Sequence, residues 1–460
     1  VATTDEVPGI WPVAIDGHPY MIDLADYQHR SIETIRQQAD NAQEFGESSL
    51  NPLDLWRRTQ SDWSLGAGQE FLDTLERSER RRFNSSANLN PWERGELSLS
   101  KGAAYYGTPG DPIIRMLSVG DTVCFITDSG SAWDLYALAG GLEETDDTPY
   151  PVLSLSPATD LYPDMGSGFT SVESGTDTPI DACTDGTTIY LLTDAGVYVT
   201  DAAGTAEVLL SAQSGDVIAF HKNRLLVGND NELWEIPASG TAVQINDTAV
   251  NDSYTWTCFG ETARFIYAGA TTGNKSSIFQ ILSLADGSTL DGPVVATDLP
   301  AGETVTCLFG YIGNTLLVGT SRGVRVAVPT SEGLAVYGLT EVGGAVRALV
   351  AFDRWVYYGM DTDDGRTGVG RLDLSQFSSE EARTPAYAED FWSSRSDARN
   401  IVQGEASETF GDLVIQEGRV VMWVNDGDDD SHVVYEHSTD YAGFGLIELG
   451  KVTYDLSDSK

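Results

Sequence analysis

A strand-turn-strand pattern that returns seven times constrains this chain more than any other feature. The windows are LSVGDTVCFITDSGSAWDLYALAGG from Leu117, ACTDGTTIYLLTDAGVYVTDAAGT from Ala182, IAFHKNRLLVGNDNELWEIPASGT from Ile218, and TCFGETARFIYAGATTG, running on to SSIFQILSLADGS, from Thr257. TCLFGYIGNTLLVGTSRGVRVAVPTSEG from Thr306, ALVAFDRWVYYGMDTDDGRTGVGRLDLSQ from Ala348 and LVIQEGRVVMWVNDGDDDSHVVYEHSTD from Leu413 complete the set. Each holds an apolar strand, a polar turn, a second strand of β-branched or aromatic residues, a Gly/Asp/Asn turn and a third strand. Most are followed by a fourth run: PVLSLS, AEVLLS, TAVQIN, PVVATDL or LAVYGLT. A unit of four short strands cannot bury both of its faces alone and needs a neighbour on each side. The pattern therefore predicts a seven-bladed β-propeller over residues 95–460.

The turns and cysteines fit that reading. Asp185-Gly186, Asp194-Ala195-Gly196, Asn229-Asp230-Asn231 and Asp364-Gly365 fall where hairpins need residues that tolerate positive φ. Cys183, Cys258 and Cys307 occupy first strands and Cys124 a second strand. With no CxxC pair or nearby histidine, they read as small core residues, not as a disulfide framework or a zinc site. GELSLSKGAAYYG, at residues 95–107, could add its strand to the last blade, or the closing GLIELGKVTYDL could complete that blade alone.

Composition bounds the function. A content of 41% hydrophobic and 10% aromatic residues is that of an ordinary globular chain with a large core. No apolar run reaches the roughly 20 residues of a membrane span, and VATTDEVPGIWPV is not a basic start followed by an apolar stretch, so neither membrane insertion nor secretion is expected. Asp and Glu number 70 against 27 Lys and Arg, a net charge of −43 that opposes binding to nucleic acid or anionic lipid. Lysine is confined to Lys101, Lys222, Lys275, Lys451 and Lys460. An acidic, arginine-dominated chain fits either a GC-rich genome or a high-salt milieu that screens its self-repulsion.

Residues 1–94 read as an irregular, partly helical arm. In SIETIRQQADNAQEF, Ile32, Ile35, Ala39, Ala42 and Phe45 stand at helical spacing behind Ser31 as N-cap, and GQEFLDTLERSERRRF offers a second helix through Phe71, Leu72 and Leu75. Arg57, Arg58, Arg80, Arg81, Arg82 and Arg94 lie beside Trp56, Trp63 and Trp92. Arg and Trp gathered in an acidic chain are the residue types of protein-protein anchors. The plainer alternative is that these tryptophans cover the propeller's side and the arginines neutralise its carboxylates.

The segments IDGHPYMID at Ile15, WRRTQSDWSLGAGQ at Trp56, RFNSSANLNPWERGELSL at Arg82 and the closing GLIELGKVTYDLSDSK together resemble minor tail or tail-tip proteins of long-tailed, siphovirus-like viruses of actinobacteria and haloarchaea. The specific part of the likeness is the first hundred residues, where that family similarly has a W-x-LGAGQ stretch, an RF-to-PW stretch and then a propeller. The resemblance implies a structural component of the virion tail, in its baseplate or fibre, with no catalytic activity and no cofactor. It implies other tail proteins as partners, a host-surface glycan or protein as a second partner class, and several copies in a symmetric assembly. The family often carries further C-terminal modules, and a receptor-binding role housed in one is not expected of these residues. The docking surface is assigned to Trp56, Arg57, Arg58, Trp63, Leu65, Gly66, Gly68, Gln69 and Trp92. The tryptophans would supply buried area, the arginines bidentate contacts to carboxylates, the glycines a tight turn, and Gln69 a pairing with exposed backbone.

Other classes remain beside this one. MDTDDG, with Asp361, Asp363 and Asp364, and NDGDDD, with Asp426, Asp428, Asp429 and Asp430, could offer oxygen ligands to calcium, but neither completes the spaced pattern ending in a bidentate Glu, and solvated turns are the simpler reading. TDGTT at Thr184 and ADGST at Ala285 echo the turn boxes of sialidase-like propellers, which makes a carbohydrate-active enzyme the rival function. Against it, Arg325, Arg347, Arg354 and Arg371 are scattered, and His18, His29, His221, His432 and His437 lack ligand spacing apart from the last pair. DGTTIYLLTDAGVYVTDAAG also resembles one repeat of quinoprotein-like propellers, without cofactor ligands.

Overall fold

The structure, a computed structural model, describes residues 10–15, 18–23, 30–35, 55–60, 62–72, 81–107, 109–138, 171–205, 207–246, 253–281, 290, 292–362, 367–379, 382–392, 409–425, 431–441 and 445–452. The chain divides into two compact units. The first comprises Val1–Ser85, Asn90–Ser98 and Ile447–Lys460, the second Ser86–Leu89 and Leu99–Leu446.

The second unit contains seven four-stranded antiparallel sheets, the blades, six of them meanders in chain order and the seventh completed by a strand from earlier in the chain. Their first strands are Ile113–Val119, Pro179–Thr184, Val217–His221, Thr255–Glu261, Val305–Tyr311, Gly344–Phe352 and Thr409–Gln416. Each first strand lies against that of the next blade, and the seventh lies against the first, so the ring closes as a seven-bladed propeller. All seven windows are blades.

The apolar core sits between blades. Leu117, Cys124, Ile126 and Leu135 of the first blade pack with Ala182, Ile189 and Leu191 of the second. Val414, Val421 and Trp423 of the seventh meet Ile113, Met116 and Phe125 of the first across the closure. A blade buried on both faces has no solvent side for its inner strands to show, so Thr122–Asp128 and Thr315–Thr320 run almost wholly buried instead of alternating. Close blade packing also selects glycine. A Cβ on Gly359 of the sixth blade would stand 2.1 Å from the Phe410 ring of the seventh.

Fourth strands Val208–Ser211, Val243–Gln244, Pro293–Asp298 and Gly333–Thr340 coincide with the runs AEVLLS, TAVQIN, PVVATDL and LAVYGLT. The first blade departs from expectation. Its fourth strand is Ser171–Gly175, while PVLSLS lies outside the described residues. The seventh blade takes its fourth strand from the other end of the second unit: Lys101–Gly107 pairs with Ser431–Tyr441, for example Ala104 opposite Tyr435. The closing segment does not enter that blade; Lys451–Val452 instead pairs in parallel with Phe71–Leu72 in the first unit.

The first unit carries a four-stranded antiparallel sheet of Ile10–Ile15, His18–Asp23, Arg30–Ile35 and Leu55–Gln60, in that order. This corrects the helix expected from Ser31. Ile32 stands opposite both Ile22 and Arg58 in the ladder, and Ile32, Thr34 and Ile35 are β-branched residues that suit a pleated strand better than a helix. Ala39, Ala42 and Phe45 lie outside the described residues, as do Leu75 and Arg80 of the second expected helix, whose Phe71–Leu72 is a strand. Among the described residues there is no helix.

Candidate functional site

Within the first unit, two of the sequence motifs fold onto one another. The stretch after the Leu55–Gln60 strand turns back at Trp63, whose carbonyl accepts the Gly66 N–H at 2.9 Å. Gly66 and Gly68 both have positive φ, 74° and 91°, which a side chain would strain. That backbone then bonds to the RRFN segment: Leu65 N–H to Arg81 O at 3.2 Å, Gly68 N–H to Asn84 O at 2.8 Å, Gln69 N–H to Phe83 O at 2.8 Å, and Phe83 N–H to Gly66 O at 3.1 Å. Side chains reinforce the junction. Gln60 Nε2 donates to Arg82 O at 3.0 Å, Arg82 Nη2 donates to Ala67 O at 2.8 Å, and the Trp63 and Phe83 rings meet at 6.3 Å. Glu448 of the closing segment joins them, accepting Asn84 N–H through its carbonyl at 2.8 Å and the Ser85 hydroxyl through its carboxylate at 2.8 Å.

The residues assigned to docking are thereby divided. Trp56, Arg57 and Arg58 lie together on the Leu55–Gln60 strand, at the end of the sheet's strand order, opposite Thr34, Glu33 and Ile32. Trp63, Gly66, Gln69 and Trp92 are buried, Leu65 is half-buried and Gly68 is exposed. The two tryptophans at 4% and 6% exposure offer almost no surface of their own.

In the propeller, polar side chains tie each blade to the next. Asp181 Oδ2 accepts the Ile218 N–H at 3.0 Å, Ser276 Oγ accepts Val305 N–H at 3.2 Å, Ser431 Oγ accepts Ile113 N–H at 2.7 Å, and Asp361 Oδ1 accepts Phe410 N–H. First strands carry a β-bulge at a common place in six blades, just before Arg115, Asp181, Cys258, Cys307, Ala348 and Asp412. In three adjacent blades this layer is ionic: Arg115 Nε donates to Asp181 at 2.8 Å and its Nη1 to Asp412 at 3.3 Å. The neighbouring Asp181 carboxylate holds the guanidinium firmly charged against the cost of burial. Sequence reading missed these latches; the only signal was an aspartate immediately before the windows at Ala182 and Leu413.

The other residues singled out in the sequence have local partners. Arg325 forms a bidentate pair with buried Glu303 at 2.7 Å for both contacts, Arg371 does so with Asp390 at 2.6 and 2.7 Å, and Arg347 meets Asp361 at 2.7 Å. Arg354 lies over the Trp355 ring at 4.2 Å. Asp185 of TDGTT locks its own turn by accepting Thr187 N–H at 2.9 Å and Thr188 N–H at 2.8 Å, which holds its carboxyl below the usual range despite opposing desolvation. His221 Nδ1 stands 3.8 Å from Glu261, and desolvation lowers its pKa. The thiols are free, and burial pushes Cys124 up to about 11 and Cys258 to about 12, inert core groups. Asp363, Asp364, Asp426, Asp428, Asp429, Asp430 and Ala285 lie outside the described residues.

No family model matches the sequence, and no curated protein matches it. Solved structures similar to the chain include the WD40 β-propeller domain of Doa1, at 10% identity and a TM-score of 0.45, covering 75% of this chain and 98% of that one. The WD40 domain of Neurospora crassa Pan2 matches at 10% identity and a TM-score of 0.44, covering 75% and 96%. AztD from Citrobacter koseri matches at 12% identity and a TM-score of 0.40, covering 78% and 93%.

Proposed function

We propose that this chain is a structural protein of a tailed virus, a minor component at or near the tail tip, which docks through its first unit and presents the propeller to a neighbouring tail protein or the host surface. One observation carries the reading furthest. WSLGAGQ, RFNS and the closing IELG, parts of three stretches in which the sequence resembles minor tail proteins, are joined by hydrogen bonds within one unit. Motifs far apart in the chain thus serve a single folded module, the form a docking unit of an assembly takes. Since Trp63 and Trp92 are turned inward, docking falls to the strand with Trp56, Arg57 and Arg58 and to the neighbouring Leu65 and Gly68. Such a strand also offers backbone groups for sheet extension by a partner.

The test is limited proteolysis with mass spectrometry on the isolated protein and on virus particles from a producing host, following cleavage after Arg57 and Arg58. Cleavage in isolation and protection in the particle is the expected result. Absence of the protein from purified particles overturns the virion role. Presence with equal cleavage in both states removes the docking assignment and leaves the virion role standing.

A further inference from the structure

The turns joining first to second strands gather at one end of the ring, and those of the fourth, fifth and sixth blades form an unusual patch. Ile312, at the tip of the fifth turn, is 75% exposed, and Phe352 of the sixth is 40% exposed. The Tyr311 hydroxyl donates to the Arg354 carbonyl at 3.3 Å, which joins these two turns. Lys222 of the third blade donates its ammonium to Ala263 O at 3.0 Å and its N–H to Glu261 at 2.9 Å, drawing the fourth turn to its neighbour. The fourth and fifth turns are close, since a Cβ on Gly310 would stand 1.8 Å from the Glu261 carbonyl oxygen. The fourth and sixth turns each carry a guanidinium, Arg264 over Phe265 at 5.1 Å and Arg354 over Trp355 at 4.2 Å.

The chain has 70 acidic residues for 27 basic ones, yet neither Arg264 nor Arg354 has a carboxylate partner among the described residues. Arg383, exposed over the Tyr337 ring at 4.6 Å, shares that state, but only Arg264 and Arg354 stand on turns beside the exposed Ile312 and Phe352. Arg322, also exposed, pairs with Glu341 at 3.2 Å, and Arg347 pairs with Asp361. Each unpaired guanidinium instead rests on the aromatic residue beside it, which restrains the side chain and leaves its N–H groups to solvent. Glu261 and Asp353 are the acidic residues of the three turns, and Glu261 is already bonded to Lys222.

We propose that this patch docks an acidic segment of a partner protein that carries an apolar side chain. Ile312 and Phe352 supply the apolar contact, and Arg264 and Arg354 receive the carboxylates. Charge complementarity selects this occupant. A surface of net charge −43 repels an acidic partner except where cations stand unopposed, and here two such cations accompany exposed apolar side chains, so the patch sets both affinity and orientation. The inference rests on the second unit alone and is independent of the docking proposed for the first.

The test selects a displayed library of random linear peptides on the immobilised full chain. The expected winners combine Asp or Glu with an aromatic or aliphatic residue. In fluorescence anisotropy, Ile312→Glu and the double variant Arg264→Ala/Arg354→Ala each weaken the selected peptide roughly tenfold or more, and added salt weakens it further. Arg354→Lys gives a smaller loss, since charge survives without the planar stack. Thermal melts establish that the variants are folded, and Ile312→Ser replaces the Glu variant if it is not. No enrichment, winners without acidic residues, or binding indifferent to the variants overturns the proposal. So does sedimentation showing a dimer of the wild-type chain that Ile312→Glu abolishes, which would give the patch to a second copy.

Discussion

At Glu389, burial and hydrogen bonding pull in opposite directions. The side chain is 6% exposed on the fourth strand of the sixth blade, and Ser86 donates its N–H and hydroxyl to it at 3.2 and 3.4 Å. Desolvation outweighs those bonds and, with Asp390 alongside, pushes its pKa up to about 7; Tyr358 faces it as a second buried titratable group, its own pKa raised, while Arg371 is paired with Asp390. A carboxyl raised in the folded state contributes stability that is fully present below its unfolded pKa, near 4.5, and lost as pH climbs through about 7. Glu389→Gln, which imitates the neutral form, should therefore melt higher than wild type at pH 8, on the order of 3 kcal/mol, and show no advantage near pH 4. Equal differences at both pH values, measured by thermal denaturation, would contradict this. None of it was legible in the sequence, where Glu389 is one acid among 70. A pKa depends on what the fold packs around the group.

At the scale of the element, legibility followed burial. Second strands such as Thr188–Thr193 and Arg224–Asn229 stand out because both their faces are covered and their apolar runs are nearly unbroken. Turns were equally clear: Gly186, Gly196 and Asp230 take the positive φ expected of them. Outer strands gave weaker signals. Thr384–Trp392 completes the sixth blade with no matching run in the repeat pattern, and Arg30–Ile35 is a strand although Ile32 and Ile35, three apart, fit the helical period and fall on opposite faces of a strand. Ring closure belongs to this scale too. The pair Ala103→Pro/Ala104→Pro must remove at least one bond between Lys101–Gly107 and Ser431–Tyr441, because successive amides along a strand point to opposite edges. It should lower stability by roughly 2 kcal/mol or more and expose the seventh blade to protease. The control pair Val208→Pro/Leu209→Pro, in an outer strand that closes nothing, should cost less; equal losses would count against a special role for the closing strand.

For the whole molecule the dominant quantity is charge. With −43 spread over 460 residues, self-repulsion opposes the compact state, and salt relieves it. Raising potassium chloride from about 0.1 M to about 1 M shortens the screening length from about 10 Å to about 3 Å. The melting temperature should rise by several degrees, roughly 5 °C. The buried pairs Arg325–Glu303 and Arg371–Asp390 are shielded from salt and should not offset the gain. A flat or falling curve would show that surface repulsion is already balanced locally.

By itself the sequence determined the blade count, the strand order within most blades and the acidic surface, because a repeat that must bury both faces writes its period into hydrophobicity and turn residues. Only the tertiary structure decided which strand closes the ring, which tryptophans turn inward, and which arginines find a carboxylate. Those outcomes depend on pairings between residues hundreds of positions apart, such as Arg115 with Asp412 and Ser86 with Glu389. Hydrogen bonds and ion pairs of that kind are set by where folding brings two groups together, and a linear pattern of residue types carries no record of the distance between them.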